Sequence, residues 1–169
     1  MKKIKTKPLV MLALLVALNL VLGRPPLSFL IWSNKIGFGF VPVVVAAWLY
    51  GPLAAGVVGA AGDFLGAVLF PVGAYFPGFT ATAFVSGVVF GLLLHRSQSL
   101  PRTLAATLVN QLVLGLLVNT YWISYISGAT FGGLLVSRVI QCVIMLALEF
   151  IVITLLRKTL FRRGREVFL

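Results

Sequence analysis

Long apolar runs, separated by short polar or glycine- and proline-rich breaks, dominate the pattern of this chain. The runs lie at roughly residues 8–23, 38–50, 53–70, 80–94, 103–121 and 134–156. None of them alternates with the period of two that marks a half-buried strand, and a membrane-spanning helix needs about 20 mostly apolar residues. The pattern therefore predicts an all-α membrane protein, with six transmembrane helices in one compact bundle that forms a single domain over 1–169.

The stretch from Lys35 to Phe79 predicts a hairpin of two helices at the centre of the bundle. Gly51 and Pro52 separate its two apolar runs, and so short a break leaves room only for an antiparallel pair. The run at 38–50 is short for a straight span. We therefore expect the second helix to be buried or to extend into its loop.

Small residues four positions apart indicate where helices approach closely. They occur as Ala13 and Ala17, Gly62 and Gly66, and Gly87 and Gly91. Such pairs lie on one helix face and let another helix come near. Because they are common in apolar helices, they predict close contacts without identifying the partner.

Positive charge is unevenly distributed along the chain, whose formal net charge is +11 although only 10% of its residues are charged. Eleven of the 14 cations fall on one side of a six-span chain: Lys2, Lys3, Lys5, Lys7, Arg96, Arg102, Arg157, Lys158, Arg162, Arg163 and Arg165. The positive-inside rule then predicts cytoplasmic termini, with a basic tail over 157–169, in a multi-pass protein of the plasma membrane. Contact with lipid headgroups explains this charge better than nucleic-acid binding does.

Three cations remain, and the predicted topology places all of them on or near the outer side. Arg24 and Lys35 lie in the link that ends at Gly37, a candidate lid, and Arg138 lies in the last apolar run. No acidic residue is predicted there to pair with them, which favours an outward pocket for an anion. Snorkelling to lipid phosphates is the alternative.

Aromatic and amide side chains gather at the same predicted level. The aromatic residues are Trp32, Tyr75, Phe76, Phe79, Tyr121, Trp122 and Tyr125. The polar residues are Asn110, Gln111, Asn119, Ser137 and Gln141. Together they suit a flat ring ligand that is stacked and hydrogen-bonded. An interfacial aromatic belt and helix–helix hydrogen bonds are the alternatives.

Other candidate chemistry is sparse. Asp63 and Glu149 lie within apolar runs, where an ion relay is one use; we expect structural or gating roles instead, with Asp63 tying backbone groups near the glycines. Cys142 is predicted to be a small core residue. His95 is the only histidine, and the chain has no GxxxxGK[ST] sequence, so neither an enzyme nor an ATP-binding chain is expected.

The region 35–94 resembles the substrate-binding S components of energy-coupling factor (ECF) vitamin transporters, and within them the folate-type branch. Three features carry the resemblance: the Gly51-Pro52 turn, the G-x-x-x-D-x-x-G element around Asp63, and the loop GAYFPGFT that ends at Thr80. The rest of the chain is similar in length and hydropathy only.

The resemblance implies a high-affinity vitamin site near the outer surface, under the loop between the first two helices. It implies two kinds of partner, a membrane T component and two cytoplasmic ATPases, so this chain would bind no cofactor and ATP would be used by the partners. Ala13 and Ala17 are similar to the motif that faces the T component. Candidate ligand-binding residues are Arg24, Lys35, Tyr75, Phe76, Phe79, Trp122, Arg138 and Gln141.

Other functions remain open at this point. Pantothenate or another small vitamin is the alternative ligand. A stand-alone transporter that couples an ion through Asp63 or Glu149, and a structural subunit without a ligand, are the alternative classes.

Overall fold

A computed structural model of the chain contains six helices in one bundle, and it describes residues 6–23, 29–31, 34–71, 75–95 and 99–161. The helices are α1 (Thr6–Leu22), α2 (Phe40–Tyr50), α3 (Pro52–Leu69), α4 (Pro77–Leu94), α5 (Leu100–Ser127) and α6 (Phe131–Phe161). The last four are long and apolar enough to cross a membrane, whereas α1 and α2 are shorter apolar helices. A helical, multi-pass membrane protein is therefore the fold class.

The link between α1 and α2 contains two short strands that the sequence pattern did not predict. Strands β1 (Phe29–Ile31) and β2 (Asn34–Ile36) pair antiparallel, with Leu30 opposite Lys35. With three residues each, they are too short to show an alternating pattern in the sequence.

A tight turn joins α2 to α3, as predicted. Gly51 has a φ of 88°, a left-handed conformation that glycine adopts without strain, and Pro52 is the first residue of α3. Next to this turn, the His95 Nδ1 atom lies 3.0 Å from the carbonyl oxygen of Ala47 and 3.2 Å from that of Trp48. Nδ1 must therefore carry the proton and donate.

Backbone-to-backbone contact joins α3 to α4, as the glycine pattern predicted for Gly87 and Gly91. A Cβ atom added at Gly87 would collide with the carbonyl group of Ala55, and one at Gly91 would collide with Pro52. Absence of side chains at these positions lets the two backbones touch.

The apolar core lies mainly among α1 to α4 and encloses α2. Its fully buried side chains include Val44, Ala46, Val58, Phe90 and Leu94. The short helix α2 is thus buried, which was one of the two outcomes expected for it.

Helix α5 is longer than predicted and changes type along its length. An α-helical part, Leu100–Leu108, is followed by a π-helical part, Val109–Val118, and by a second α-helical part, Asn119–Ser127. The sequence pattern ended this helix at Tyr121 and predicted a loop over 122–133, which is wrong. The helix instead ends at Gly128, whose φ of 69° stops it.

Candidate functional site

Two adjoining cavities lie inside the bundle and share part of their lining. Their volumes are about 290 Å³ and about 320 Å³, and ligand pockets occupy about 300–1,000 Å³. Both are lined by Asp63, Ala83, Ser86, Met145 and Glu149. Together they offer space for one elongated ligand.

The first cavity extends to the end of α1 and the start of α2. Gly23, Gly37 and Gly39 line it there, beside the link that contains the two strands. The Asn19 side chain fixes this region, because its Nδ2 atom donates to the carbonyl oxygen of Gly39 at 2.6 Å. Asn19 also packs directly against Gly62 of α3, where any larger residue would collide with it.

The second cavity lies among α4, α5 and α6 and is lined mostly by polar side chains. Its own lining comprises Phe79, Thr82, Asn110, Gln111, Leu114, Gly115, Asn119, Arg138, Gln141 and Cys142. The π-helical part of α5 supplies four of these residues, Asn110, Gln111, Leu114 and Gly115. Segments of π-helix occur frequently at functional sites, and here one presents two amides to the cavity.

Arg138 is a cation in the lining of the second cavity. Its Nη2 atom donates to the carbonyl oxygen of Gly115 over a long 3.4 Å. Its buried Nε atom has no hydrogen-bond partner within the described part of the chain. The guanidinium therefore retains donors for an anion that enters the cavity.

A second group of polar side chains lies farther along α6 than Arg138, where α5 meets α6. Glu149 is 4% exposed, and its Oε1 atom accepts a hydrogen bond from Gln111 Nε2 at 2.7 Å. Its buried Oε2 atom accepts none from any residue that the structure describes. Asn110 is 5% exposed, and neither polar atom of its side chain has a partner among those same residues.

Asp63 lies on α3 between the two cavities. Its Oδ2 atom accepts from Thr80 Oγ1 at 2.8 Å, and Thr80 Oγ1 lies 3.2 Å from the Tyr75 hydroxyl. Because Thr80 has one hydroxyl proton, which it gives to Asp63, Tyr75 is the donor in the second bond. Asp63 thus binds a side-chain hydroxyl here, whereas the sequence suggested that it ties backbone groups.

Aromatic side chains form a cluster beside the second cavity. The ring of Phe76 lies 5.2 Å from that of Trp122, 6.1 Å from Tyr125 and 6.2 Å from Phe79, between centroids. Trp122 also donates through Nε1 to Thr82 Oγ1 at 3.1 Å. These contacts brace the ends of α4 and α5 against each other.

The predicted ligand-binding residues divide into three groups. Phe79, Arg138 and Gln141 line the second cavity. Tyr75, Phe76 and Trp122 are outside both linings, and Tyr75 is 46% exposed and packs on Phe64. Arg24 lies outside the described residues, and only the backbone of Lys35 is described. The binding role of each residue stays a prediction.

Sequence reasoning missed three polar lining residues, Asn19, Thr82 and Ser86, and assigned Asp63 and Glu149 to structural or gating roles. The signal for Asn19 was available, because it is a polar residue within the first apolar run. Ser86 gives no such signal, since a serine is common in apolar helices.

The predicted docking residues lie on the outside of the bundle. Ala13 and Ala17 are exposed, on a face of α1 that also exposes Val10, Leu14 and Val21. This face is available for a lipid or another helix.

Sequence comparison relates the chain to transport proteins. The family profile "ECF transporter, substrate-specific component" matches residues 7–157. Folate transporter FolT of Clostridium novyi (strain NT) is 38% identical over 154 residues, which cover 90% of this chain and 88% of that protein. Folate transporter FolT of Leuconostoc mesenteroides subsp. mesenteroides is 30% identical over 156 residues, which cover 87% of this chain and 82% of that protein.

Solved structures share the fold. A crystal structure of FolT bound with folic acid matches with a TM-score of 0.82 at 28% identity, over 89% of this chain and 92% of that one. A structure of the S component of a bacterial ECF transporter matches with a TM-score of 0.72 at 23% identity, over 96% of this chain and 99% of that one. The chain is thus a transporter component and not an enzyme, and it belongs to the family of substrate-specific (S) components of ECF transporters.

Proposed function

We propose that this protein is a folate-binding S component, which captures the vitamin outside the cell and delivers it inward. The observation that carries the proposal is the similarity to two proteins named folate transporter FolT, the nearer of them 38% identical. The likeness to a FolT structure with bound folic acid supports the same ligand.

The lining of the cavities is compatible with folate chemistry. Folate has a flat pteridine ring, a p-aminobenzoyl group and a glutamate with two carboxylates. Arg138 is suited to charge-assisted hydrogen bonds with a carboxylate, and Phe79 to contact with a ring. Gln141 adds a hydrogen-bonding amide to the same lining.

Equilibrium binding to the purified chain tests the proposal. Calorimetry without ATP should give one tight site for folic acid, while pantothenate and riboflavin, measured alongside, should bind weakly or not at all. Tight binding of another vitamin in place of folate would keep the family and overturn the ligand. Failure of all three to bind would overturn the assigned ligand and leave snorkelling as the account of the outer cations.

The proposed topology has six spans, with both termini in the cytoplasm of a cell bounded by the plasma membrane. The distribution of basic residues and the six helices support it. Single cysteines at Ser99 and Ser127, in a Cys142→Ala background, would test it with a membrane-impermeant maleimide on intact cells. Labelling of Ser127→Cys alone is expected, and labelling of Ser99→Cys alone would reverse the orientation.

The proposed partners are a membrane T component and two cytoplasmic ATPases that hydrolyse the ATP. The exposed face of α1 around Ala13 and Ala17 is suited to close helix contact. Replacing both residues with leucine should abolish co-purification with the T component and leave folate binding intact. Ala147→Leu, at an exposed position of α6, is the matched control, and retained co-purification of the double variant would remove this face from the interface.

A further inference from the structure

We infer that Glu149 is a proton-binding group that couples capture of the vitamin to uptake of a proton, so that it is protonated whenever the anionic ligand occupies the cavities. The inference rests on the proposed function, because it takes the ligand to be a folate with two carboxylates. It adds a proton as a second species that the protein binds. Its basis is the surroundings of Glu149 and the set of charges that line the cavities.

Glu149 is a carboxyl group inside the bundle with a single hydrogen-bond donor. It is 4% exposed, and Gln111 Nε2 donates to its Oε1 atom at 2.7 Å. No residue that the structure describes donates to its buried Oε2 atom. An ionised carboxylate in such a place is costly unless further donors or a cation surround it. A bound proton removes the charge and, with it, that cost.

The available cation is too far along α6 to pair with Glu149. Among the residues that the structure describes, Arg138 is the one cation in either cavity lining. It precedes Glu149 by 11 residues, which corresponds to about 16 Å along the helix axis. Its Nη2 atom donates to the carbonyl oxygen of Gly115 instead. The carboxyl group of Glu149 is therefore not compensated by an ion pair with Arg138.

The charges that line the cavities are mostly negative. Asp63 lines them from α3, and three titratable residues of α6 belong to the second lining: Arg138, Cys142 and Glu149. In the described part of the chain, α1, α2, α4 and α5 contribute no charged or titratable side chain to either lining. With both carboxyl groups ionised, the lining has two negative charges and one positive charge.

A folate adds two more negative charges to this set. Like charges repel each other strongly within a site of low dielectric constant. Asp63 is only half-buried, and it accepts a hydrogen bond from Thr80 Oγ1 at 2.8 Å. Glu149 is more deeply buried and has an oxygen without a donor among the described residues. Glu149 is therefore the carboxyl group that takes up a proton when the ligand enters.

Proton uptake makes the affinity depend on pH in a defined direction. Where Glu149 already has its proton in the empty protein, the affinity is highest and does not vary with pH. At higher pH the empty protein loses this proton, binding must restore it, and the affinity falls by up to about tenfold per pH unit. Proton and vitamin strengthen each other's binding equally. Such a protein binds the vitamin more tightly on the more acidic side of a membrane.

Calorimetry of folic acid binding at a series of pH values tests the inference. Each pH is measured in two buffers with different ionisation enthalpies, which counts the protons taken up. For wild type, the count should rise from zero toward one as the pH increases, whereas Glu149→Gln should take up no such proton. Equal counts for the two proteins would overturn the inference.

The ratio of the wild-type affinity to the Glu149→Gln affinity gives a second readout. It cancels the titration of folic acid itself, whose ring loses a proton in alkaline solution. We expect this ratio to fall at least about tenfold between about pH 6 and about pH 9. A ratio that stays constant over this range would overturn the inference, because loss of a merely structural carboxyl group would lower the affinity alike at every pH.

Two further variants complete the test. Asp63→Asn removes the other carboxyl group of the lining and should leave the proton count at each pH as in wild type; a count abolished by Asp63→Asn would assign the proton to Asp63 and overturn the inference. Gln111→Leu serves if Glu149→Gln does not fold. It removes the donor that stabilises the ionised carboxylate, so the affinity should begin to fall at a higher pH than in wild type. A fall that begins at the same or a lower pH would overturn the inference.

The two possible failures are distinguishable. Wild-type protein that binds no folic acid at any pH would overturn the proposed function. Wild-type protein that binds folic acid tightly without proton uptake would keep the proposed function and overturn only the role of Glu149.

Discussion

The α1–α4 part of the bundle and the α5–α6 pair bury different kinds of side chain. Among the described residues, ten of the twelve that form the apolar core lie in α1 to α4. Five of the six buried polar or charged residues lie in α5 and α6: Thr103, Thr107, Asn110, Thr120 and Glu149. The first, packed part is therefore held mainly by apolar contacts, whereas the second, polar part contributes Asn110 and Glu149 to the cavity lining.

The difference has an energetic meaning. Close contact of glycine-rich backbones needs no partner molecule and stabilises the protein at all times. Buried polar atoms without partners, such as Glu149 Oε2, cost free energy in the empty protein. If the proposed ligand supplies the partners, this cost is recovered as binding free energy, and the α5–α6 pair would exchange stability for affinity.

The largest expected effect is in the packed part. Gly87→Val introduces a side chain where α3 leaves no room, since even a Cβ atom would collide with the Ala55 carbonyl group. Because two backbones would have to separate, we expect a loss of about 3 kcal/mol in stability, the upper end of the usual cost of overpacking. The loss of stability is measured by thermal unfolding in detergent, with size-exclusion chromatography as the readout of folded protein. Gly132→Val is the control, since a Cβ there meets nothing within 4 Å; equal melting temperatures for both variants would contradict the comparison.

In the polar part, the largest expected effect of a substitution is on the affinity for folic acid. Arg138→Ala should weaken folic acid by about 10- to 100-fold, which is what a lost charge-assisted hydrogen bond is worth. The melting temperature of the unliganded variant should fall little, because the Nη2 bond to Gly115 is long at 3.4 Å and the buried Nε has no partner among the described residues. Calorimetry measures the first and thermal unfolding the second.

Arg138→Lys should restore part of the affinity, because it keeps the charge without the planar fork. Wild-type affinity in Arg138→Ala would remove this residue from the site.

A smaller effect, of opposite sign, is expected for Asn110→Leu. Replacing an amide that lacks partners with an apolar side chain of similar size should stabilise the unliganded protein by about 1 kcal/mol. The increase in melting temperature that folic acid causes should shrink at the same time. A destabilised unliganded variant would show that the amide has a structural role and would weaken the contrast between the two parts.

The smallest effect tests a hydrogen bond within the packed part. His95→Ala removes the donor to the carbonyl oxygens of Ala47 and Trp48 and should cost about 1 kcal/mol. Folic acid affinity should not change, since His95 lines neither cavity. A loss as large as that of Gly87→Val would mean that this bond, rather than close packing, holds the hairpin.

Sequence patterns predicted the packed part more accurately than the polar part. Gly51, Pro52 and the Gly87–Gly91 pair have local conformational or steric requirements, so their presence alone indicates a turn and a close contact. The predicted ends of α3 and α4 are accordingly within three residues of the observed ones.

Hydropathy failed where a helix continues through polar and aromatic residues. Trp122, Ser124 and Tyr125 lower the apolar character of the chain, yet α5 continues through them to Ser127. The helix persists because Trp122 packs on Phe76 and bonds Thr82, contacts between distant segments that no local pattern contains.

For a similar reason, sequence patterns identified only some of the residues that line the cavities. Arg138 and Gln141 attract notice because polar residues are rare in apolar helices. Whether an aromatic residue lines the cavity or packs beside it depends on tertiary structure, so Phe79 could not be separated from Phe76 by sequence. The π-helical part of α5, which directs Asn110 and Gln111 to the cavity, has no known sequence signal here.

The unequal helix lengths connect membrane thickness to the lining of the cavities. Helix α2, with 11 residues, is about 16 Å long, and α6, with 31 residues, is about 46 Å long. A hydrocarbon layer is about 30 Å thick, and α2 need not match it because protein surrounds it. Helix α6 exposes much of its surface, and a helix longer than the layer tilts. The tilt of α6 sets the difference in membrane depth between Arg138 and Glu149, so bilayer thickness bears on the shape of the cavity that both residues line.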